Sequence, residues 1–270
     1  MSQKSSPKLL FILGGIVIVF GLLARLYYFQ TNKPVKPAVV NPAELATTAH
    51  FIALVDRVKA NPNDVQAHKN LAAFFMDQKV FEKAAREYDF VIKRDARDDV
   101  SRGKLAEVFL AAKKYDAAES IYTDLTVRIP KQLSAWQGLT ATLIKEGRYL
   151  EAMHVVRKAL TLEPDNPSTH LLMAKSALEY AVQFPNPENH AGELDFARKE
   201  FEGLVKAFPD NAEIQYNLGR AYVALHNKKN GIAALERAHQ MVPKNQEFGQ
   251  MLVIVLRAMN NQARALTITR

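Results

Sequence analysis

The feature that most constrains this chain is a repeat of 34 residues. In Ser134–Asn166 two helix-period apolar patterns are split by Glu146-Gly147-Arg148 and closed by Leu162-Glu163-Pro164. Trp136, Leu139, Thr140, Leu143, Tyr149, Ala152, Val156, Ala159 and Pro164 fall at offsets 4, 7, 8, 11, 17, 20, 24, 27 and 32 of the frame. One period upstream the frame holds Leu105, Ala106, Phe109, Tyr115, Ala118, Tyr122, Leu125 and Pro130. A further step back gives Leu71, Ala72, Phe75, Phe81, Ala84, Tyr88 and Val91, with Ala96 in the proline place. Leu218, Gly219, Tyr222, Gly231, Leu235, Ala238 and Pro243 repeat it downstream. Pro62 closes a lone leading helix, Phe51 to Ala60.

Packing explains the pattern. Small residues at offsets 8, 20 and 27 let two helix axes approach, while aromatic and branched residues fill the space between neighbouring hairpins. Proline at offset 32 cannot donate the next backbone bond and ends the second helix. Asn63-Asp64, Asp165-Asn166 and Asp210-Asn211 offer cap oxygens to the helix that follows. The frame resembles the tetratricopeptide repeat (TPR), a helix-turn-helix hairpin that stacks into a solenoid. The resemblance implies an all-α, right-handed helical solenoid of about five repeats with terminal capping helices, behind a single transmembrane helix. The expected organisation is a basic start (1–8), the membrane helix (9–29), a proline-rich linker (30–43) and the solenoid (44–270). Within the solenoid a lead helix (44–60) precedes repeats near 65–98, 99–132, 133–166, 167–210 and 211–244, and a cap covers 245–270.

The fourth repeat departs from the frame. His170, Met173, Ala174 and Ala177 keep offsets 4 to 11, but Ala197, Phe201, Val205 and Pro209 arrive 11 residues late. The extra residues lie around Tyr180 to Glu193, with Pro185 and Pro187 as breakers. They are either a tolerated loop or a partner contact through Tyr180, Phe184, Pro185 and His190, since insertions in repeat arrays project from one face. In the cap, Leu252, Ile254, Val255 and Leu256 are apolar enough to need cover, from the last helix or from a partner.

Charge locates the amino-terminal segment. The chain carries a formal net charge of +8, but residues 1–43 hold five lysines and arginines and no acidic side chain. From Glu44 onward 31 basic residues face 28 acidic ones. The repeats lack a basic run with interleaved aromatics, so no nucleic-acid footprint is visible. Leu9 to Leu23 has no strongly polar side chain, and counting through Phe29 gives 21 residues. At roughly 1.5 Å per residue that helix crosses a bilayer. Arg25 can snorkel and Tyr27, Tyr28 and Phe29 read as an interfacial belt. A cleaved signal peptide is the competing reading, but Leu22 occupies a position where a cut after Ala24 wants a small residue. Lysines and arginines flank the run almost equally, so the repeats are placed in the periplasm of a bacterial inner membrane mainly because an anchor ahead of a large domain usually translocates it. The alternative leaves them facing the cytoplasm.

No chemistry stands out. There is no cysteine, so no thiol nucleophile or thiolate metal site exists. His68 and His170 take the offset-4 place that Trp136 fills in its own repeat, which assigns them to packing. No zinc-helix spacing or glycine-rich phosphate loop is present, and the expectation is a non-enzyme without cofactor or metal. In TPR proteins the first helix of each hairpin lines a concave groove. Carried onto this chain, that implies Lys69, Ala73, Met76, Glu107, Leu110, Gln137, Ile144, Leu171, Lys175, Tyr216 and Arg220 as the surface for an extended or helical protein segment. Some TPR proteins clamp a terminal carboxylate. Here Lys69 fits that pattern, but Ala73 stands where asparagine is needed, and Lys104, Ser134 and Gly138 fill the other places. The expected function is a membrane-anchored scaffold that helps assemble an envelope complex. The anchor and the lone helix ending in Ala60-Asn61-Pro62-Asn63-Asp64 are also similar to periplasmic TPR proteins of c-type cytochrome maturation. A structural subunit of a secretion, pilus or motor machine is the other alternative.

Overall fold

A computed structural model of the chain describes residues 42–183, 187–259 and 262–268. The expected anchor at 9–29, the linker up to residue 41, and the insertion residues Phe184 and Pro185 lie outside them. Among the described residues no helix is long and apolar enough to cross a membrane. The chain divides into two compact units, Met1–Ala53 and Leu54–Arg270. The described part of the first is the front of helix α1 (Pro42–Ala60). That helix opens inside the stretch read as linker, because proline's fixed φ and missing N–H suit the first turn of a helix.

The second unit is a stack of hairpins. They are α2 (Val65–Asp77) with α3 (Phe81–Arg94), α4 (Asp99–Ala111) with α5 (Tyr115–Arg128), and α6 (Leu133–Glu146) with α7 (Tyr149–Leu162). Then come α8 (Pro167–Val182) with α9 (Ala191–Ala207), α10 (Ala212–Ala224) with α11 (Lys228–Met241), and α12 (Gln246–Arg257) with α13 (Gln262–Ile268). From α2 onward each helix packs on its sequence neighbours, and α4 also touches α6, α6 touches α8 and α8 touches α10. From α4 to α10 the first helices therefore form one continuous layer, as in a solenoid whose units contact only their neighbours.

The frame residues build the core. Ala72, Ala84, Ala106, Ala118, Thr140, Ala152, Ala174 and Ala197 are fully buried where the helix axes approach. Glycine makes the approach closer still: a Cβ on Gly138 would stand 2.2 Å from Tyr122, one on Gly219 2.7 Å from Leu235, and one on Gly231 2.6 Å from Val223. In the expected cap dipeptides the second residue does the capping. Asp64, Asn166 and Asn211 accept from the amides of Ala67, Thr169 and Ile214. Asp98 and Asn245 cap α4 and α12 in the same way. The second helices stop two residues before Pro130, Pro164, Pro209 and Pro243, and α3 stops equally before Ala96. Its C-cap, Asp95, is extended without a proline after it, so packing of the next hairpin enforces the stop and proline reinforces it.

Turns within hairpins share one backbone device. Lys79, Lys113, Gly147 and His226 occupy the same offset and all have φ between 58° and 79°. Only one is glycine, the residue that takes this conformation without a Cβ penalty. The fourth hairpin replaces the device with its insertion. Here α8 has 16 residues and α9 17, against 13 or 14 in the first and second helices of the other full hairpins, and a short 3₁₀ turn, Pro187–His190, precedes α9. Tyr180 is thus in α8 and Glu193 in α9: much of the inserted length lengthens helices instead of forming a loop. At the carboxyl end Leu252, Val255 and Leu256 are buried in a cluster that includes Ala265 of α13, while Ile254 remains 62% exposed. Ile232, Leu235 and Ala238 of α11 share in that cover with Ala265, and Ile254 is left without it.

Candidate functional site

A cleft of about 820 Å³ opens where α6, α8, α10 and the start of α12 come together. Four of the residues expected in the groove line it: Ile144, Lys175, Tyr216 and Arg220. Its floor is aromatic. Tyr216, only 7% exposed, stacks on Phe248 with ring centroids 4.5 Å apart. The Arg220 guanidinium sits 5.7 Å from the Tyr216 ring centre and holds Glu179 of α8 with both terminal nitrogens, Nη2 donating to Oε2 at 2.9 Å. Lys175 Nζ donates to Glu213 Oε1 at 2.6 Å. Both pairs run from one first helix to the next, so they also clip the fourth repeat to the fifth.

The charges in the cleft are set by these neighbours. Burial works against the Arg220 cation, but Glu179 outweighs it and pushes its pKa further up. Burial pushes the Tyr216 phenol up to about 12, with Glu247 adding and Arg220 opposing. Tyr149 at the cleft wall is raised by burial and Glu179. The lining carries Lys145, Lys175 and Arg220 against Glu179, Asp210, Glu213 and Glu247, three basic residues against four acidic. Lys145 takes part in no ion pair among the described residues.

The other expected groove residues lie outside this cleft, and several have internal partners. Lys69 Nζ reaches Asp98 Oδ2, the cap of the next first helix, at 2.6 Å. Gln137 donates in the same way to the cap residue Asn166 and to Thr169, at 3.2 and 2.8 Å. Both sit at offset 5 and reach a partner at the head of the next repeat. Where offset 5 is Gly103, the next cap, Gln132, accepts no backbone amide of its helix and instead donates to the Ser134 hydroxyl at 3.0 Å. Glu107 pairs with Lys104 one turn away at 2.8 Å. Leu110 packs with Ile144 on the core of α4–α6, and Leu171 packs on the core of α8–α10. Met76 is half-buried and Ala73 exposed. At the insertion, Tyr180 and His190 meet edge to face with centroids 5.2 Å apart.

Sequence reasoning missed Tyr149, Glu179, Asn217, Glu247 and Phe248. Glu179 stands at offset 13, next to the offset-12 place that Met76, Leu110 and Ile144 hold in their repeats, so the frame could have found it. Tyr149 was read only as hairpin filling, and Glu247 and Phe248 fall in the unit read as a cap. Among the described residues no group of three or more histidine, aspartate and glutamate side chains could hold a metal ion.

One tetratricopeptide repeat family model matches residues 133–166 and another matches 191–245. Those two stretches are tetratricopeptide repeats, and the other hairpins share their 34-residue frame and their stacking. In fold the chain is similar to a tetratricopeptide repeat protein from Parabacteroides merdae, with a TM-score of 0.68 and 14% identity over 84% of this chain and 85% of that one. A thermophilic TPR protein of Thermus thermophilus matches with a TM-score of 0.57 and 19% identity over 71% of this chain and 98% of its own. YrrB, a TPR protein with an unusual peptide-binding site, matches with a TM-score of 0.51 and 19% identity, over 77% and 98%. At these identities the likeness is one of fold. No curated protein matches the sequence.

Proposed function

We propose that this chain is a membrane-anchored scaffold that holds a segment of a protein partner in the α6–α8–α10 cleft and has no catalytic role. The observation that carries this is the cleft itself. It combines an aromatic floor with walls whose ion pairs are already made, so a segment can dock without first ordering those side chains. Lys69 and Lys104, which a terminal-carboxylate clamp would need free, are held by Asp98 and Glu107. That favours an internal segment over a chain end. The peptide-binding site of YrrB, a protein of similar fold, supports the same use.

Photo-crosslinking amino acids placed at Ile144 and Lys145 should give adducts of defined mass in cells. The same probe at Arg157, on the exposed side of α7, should not. Equal labelling from both faces would remove the cleft as the docking site. For residues 9–29 the proposal is a single pass through a bacterial inner membrane with the repeats in the periplasm. The expected result is a chain that stays with membranes after alkaline extraction and is digested by protease only once the outer membrane is opened. A chain recovered in the soluble fraction would overturn the anchor.

A further inference from the structure

Offset 4 of the frame hides a second regularity. In each full hairpin its side chain reaches the backbone carbonyl six residues upstream, just before the first helix begins. Arg102 donates to Ala96 O at 2.8 Å, Trp136 to Pro130 O at 2.9 Å and Gln215 to Pro209 O at 3.4 Å. His68 Nε2 lies 3.1 Å from Pro62 O and His170 Nε2 2.7 Å from Pro164 O. The side chain tethers the connection between repeats to the helix it leads into. Arginine, tryptophan and glutamine donate at every ordinary pH.

His170 is different because its other nitrogen is also engaged. Nδ1 lies 2.7 Å from Glu200 Oε2 on α9, so one ring joins the α7–α8 turn, α8 and α9. A carbonyl oxygen can only accept, which fixes the proton on Nε2. An ionised carboxylate likewise only accepts, so Nδ1 must carry a proton too. Both bonds exist together only on the imidazolium. With a neutral ring, a nitrogen lone pair faces the Glu200 carboxylate or the Pro164 carbonyl, and one contact becomes repulsive. His68 makes the same pair of contacts, with Pro62 O and with Glu87 Oε2 at 2.5 Å. Its ring also stacks on Phe90 at 3.7 Å, and the Arg94 guanidinium lies against that Phe90 ring, so a cation stands close by. His170 makes no such ring contact among the described residues, and the charges that bear on it most are Glu200 from α9 and Asp165 from the preceding turn, both carboxylates.

We infer that His170 is a proton-operated latch of the fourth hairpin, closed as the imidazolium and opened by loss of its Nδ1 proton. Burial opposes its charge, but the Pro164 carbonyl, Glu200 and Asp165 outweigh burial and raise its pKa above the ordinary histidine value. For a raised pKa the latch contributes fully below about pH 6.5, the unfolded value, and is lost as pH rises through the folded one. Because α8 also carries Lys175 and Glu179 into the cleft, opening loosens one wall of it. This last consequence rests on the proposed function; the latch does not.

The test is the titration of the His170 ring by NMR in the full-length chain in detergent, together with unfolding at a series of pH values. The expected pKa is above about 6.5 and falls in Glu200→Gln. His170→Gln, which keeps a donor as Gln215 does, should lose the part of the stability decline above about pH 6.5 that the parent shows. A His170 pKa at or below the ordinary value overturns the latch, and so does an identical stability profile in His170→Gln. Should that variant fail to fold, the titration shift in Glu200→Gln decides alone. Crosslinking from Ile144 at about pH 6 and about pH 8.5, on either side of the histidine range, separates the two ideas. A raised pKa with no cleft adducts at either pH removes the partner reading and keeps the latch. An unshifted pKa removes the latch whatever the adducts show.

Discussion

At the scale of single residues, the turns show how far local chemistry yields to the stack. Lys79, Lys113 and His226 hold a left-handed backbone that L side chains disfavour by roughly 1–2 kcal/mol. Glycine would relieve that, less its own entropy loss in the unfolded chain. Lys113→Gly should therefore raise stability by up to about 1 kcal/mol, and Gly147→Ala should lower it by a similar amount. Urea unfolding followed by circular dichroism checks both, and a stabilised Gly147→Ala would show that the turn geometry is wrong. Only Gly147 was legible in the sequence, because at that offset a glycine advertises the conformation and a lysine does not. The offset-4 donors were legible as a position but not as a bond. Trp136→Phe keeps the ring and removes the Nε1 donor to Pro130 O, and should cost about 0.5–1 kcal/mol at this partly exposed site. No measurable loss would make that contact incidental.

At the scale of elements, the frame found the hairpins because small and large residues recur where axes meet and gaps must be filled. Ala72, Ala106 and Ala174 could be assigned to the core from spacing alone. The insertion was less legible. Pro185 and Pro187 marked a break, but nothing local showed that α8 and α9 would lengthen on either side of it. That outcome depends on Ala181 and Leu194, both buried, finding a neighbour in three dimensions. The terminal hairpin has a similar dependence. Its second helix, α13, has 7 residues, so α12 is held mainly by its own buried side on α11. Leu252→Ala, in a position 1% exposed, should cost about 2–5 kcal/mol. In a one-dimensional array the loss should be read first at the carboxyl end. Hydrogen exchange resolved by segment is the check: faster exchange in α11–α13 with α2–α5 unchanged is expected, and uniform acceleration would mean that the stack unfolds as one block.

At the scale of the whole array, neighbouring repeats are joined by polar clips as well as by apolar packing. Burial opposes ionisation of Asp98, but Lys69 and the amide and hydroxyl of Ser101 outweigh it and hold its carboxyl below the usual range. For a depressed pKa the contribution is present above about pH 3.9 and is lost as pH falls through the folded value. Lys69→Met should thus weaken the acid-side slope of stability below about pH 4, measured by unfolding between about pH 5 and pH 2; an unchanged slope would sever the link. Arg220→Ala leaves Glu179 without its partner. It should cost about 1–3 kcal/mol and reduce crosslinking from Ile144, and intact crosslinking would take Arg220 out of the docking surface. These clips were the part of the site the sequence hid. Lys69 and Asp98, like Gln137 and Asn166, stand 29 residues apart, a distance that means nothing until consecutive repeats lie side by side.

The clips also differ from joint to joint. A lysine meets an aspartate between the first and second units, and a glutamine meets an asparagine between the third and fourth. Between the fourth and fifth, the joint is made by two full ion pairs. These three seams therefore each carry their own address. Units cut from this chain and rejoined in another order would keep their shape but put unmatched charges face to face, so the order of the modules is written into the protein as firmly as their number.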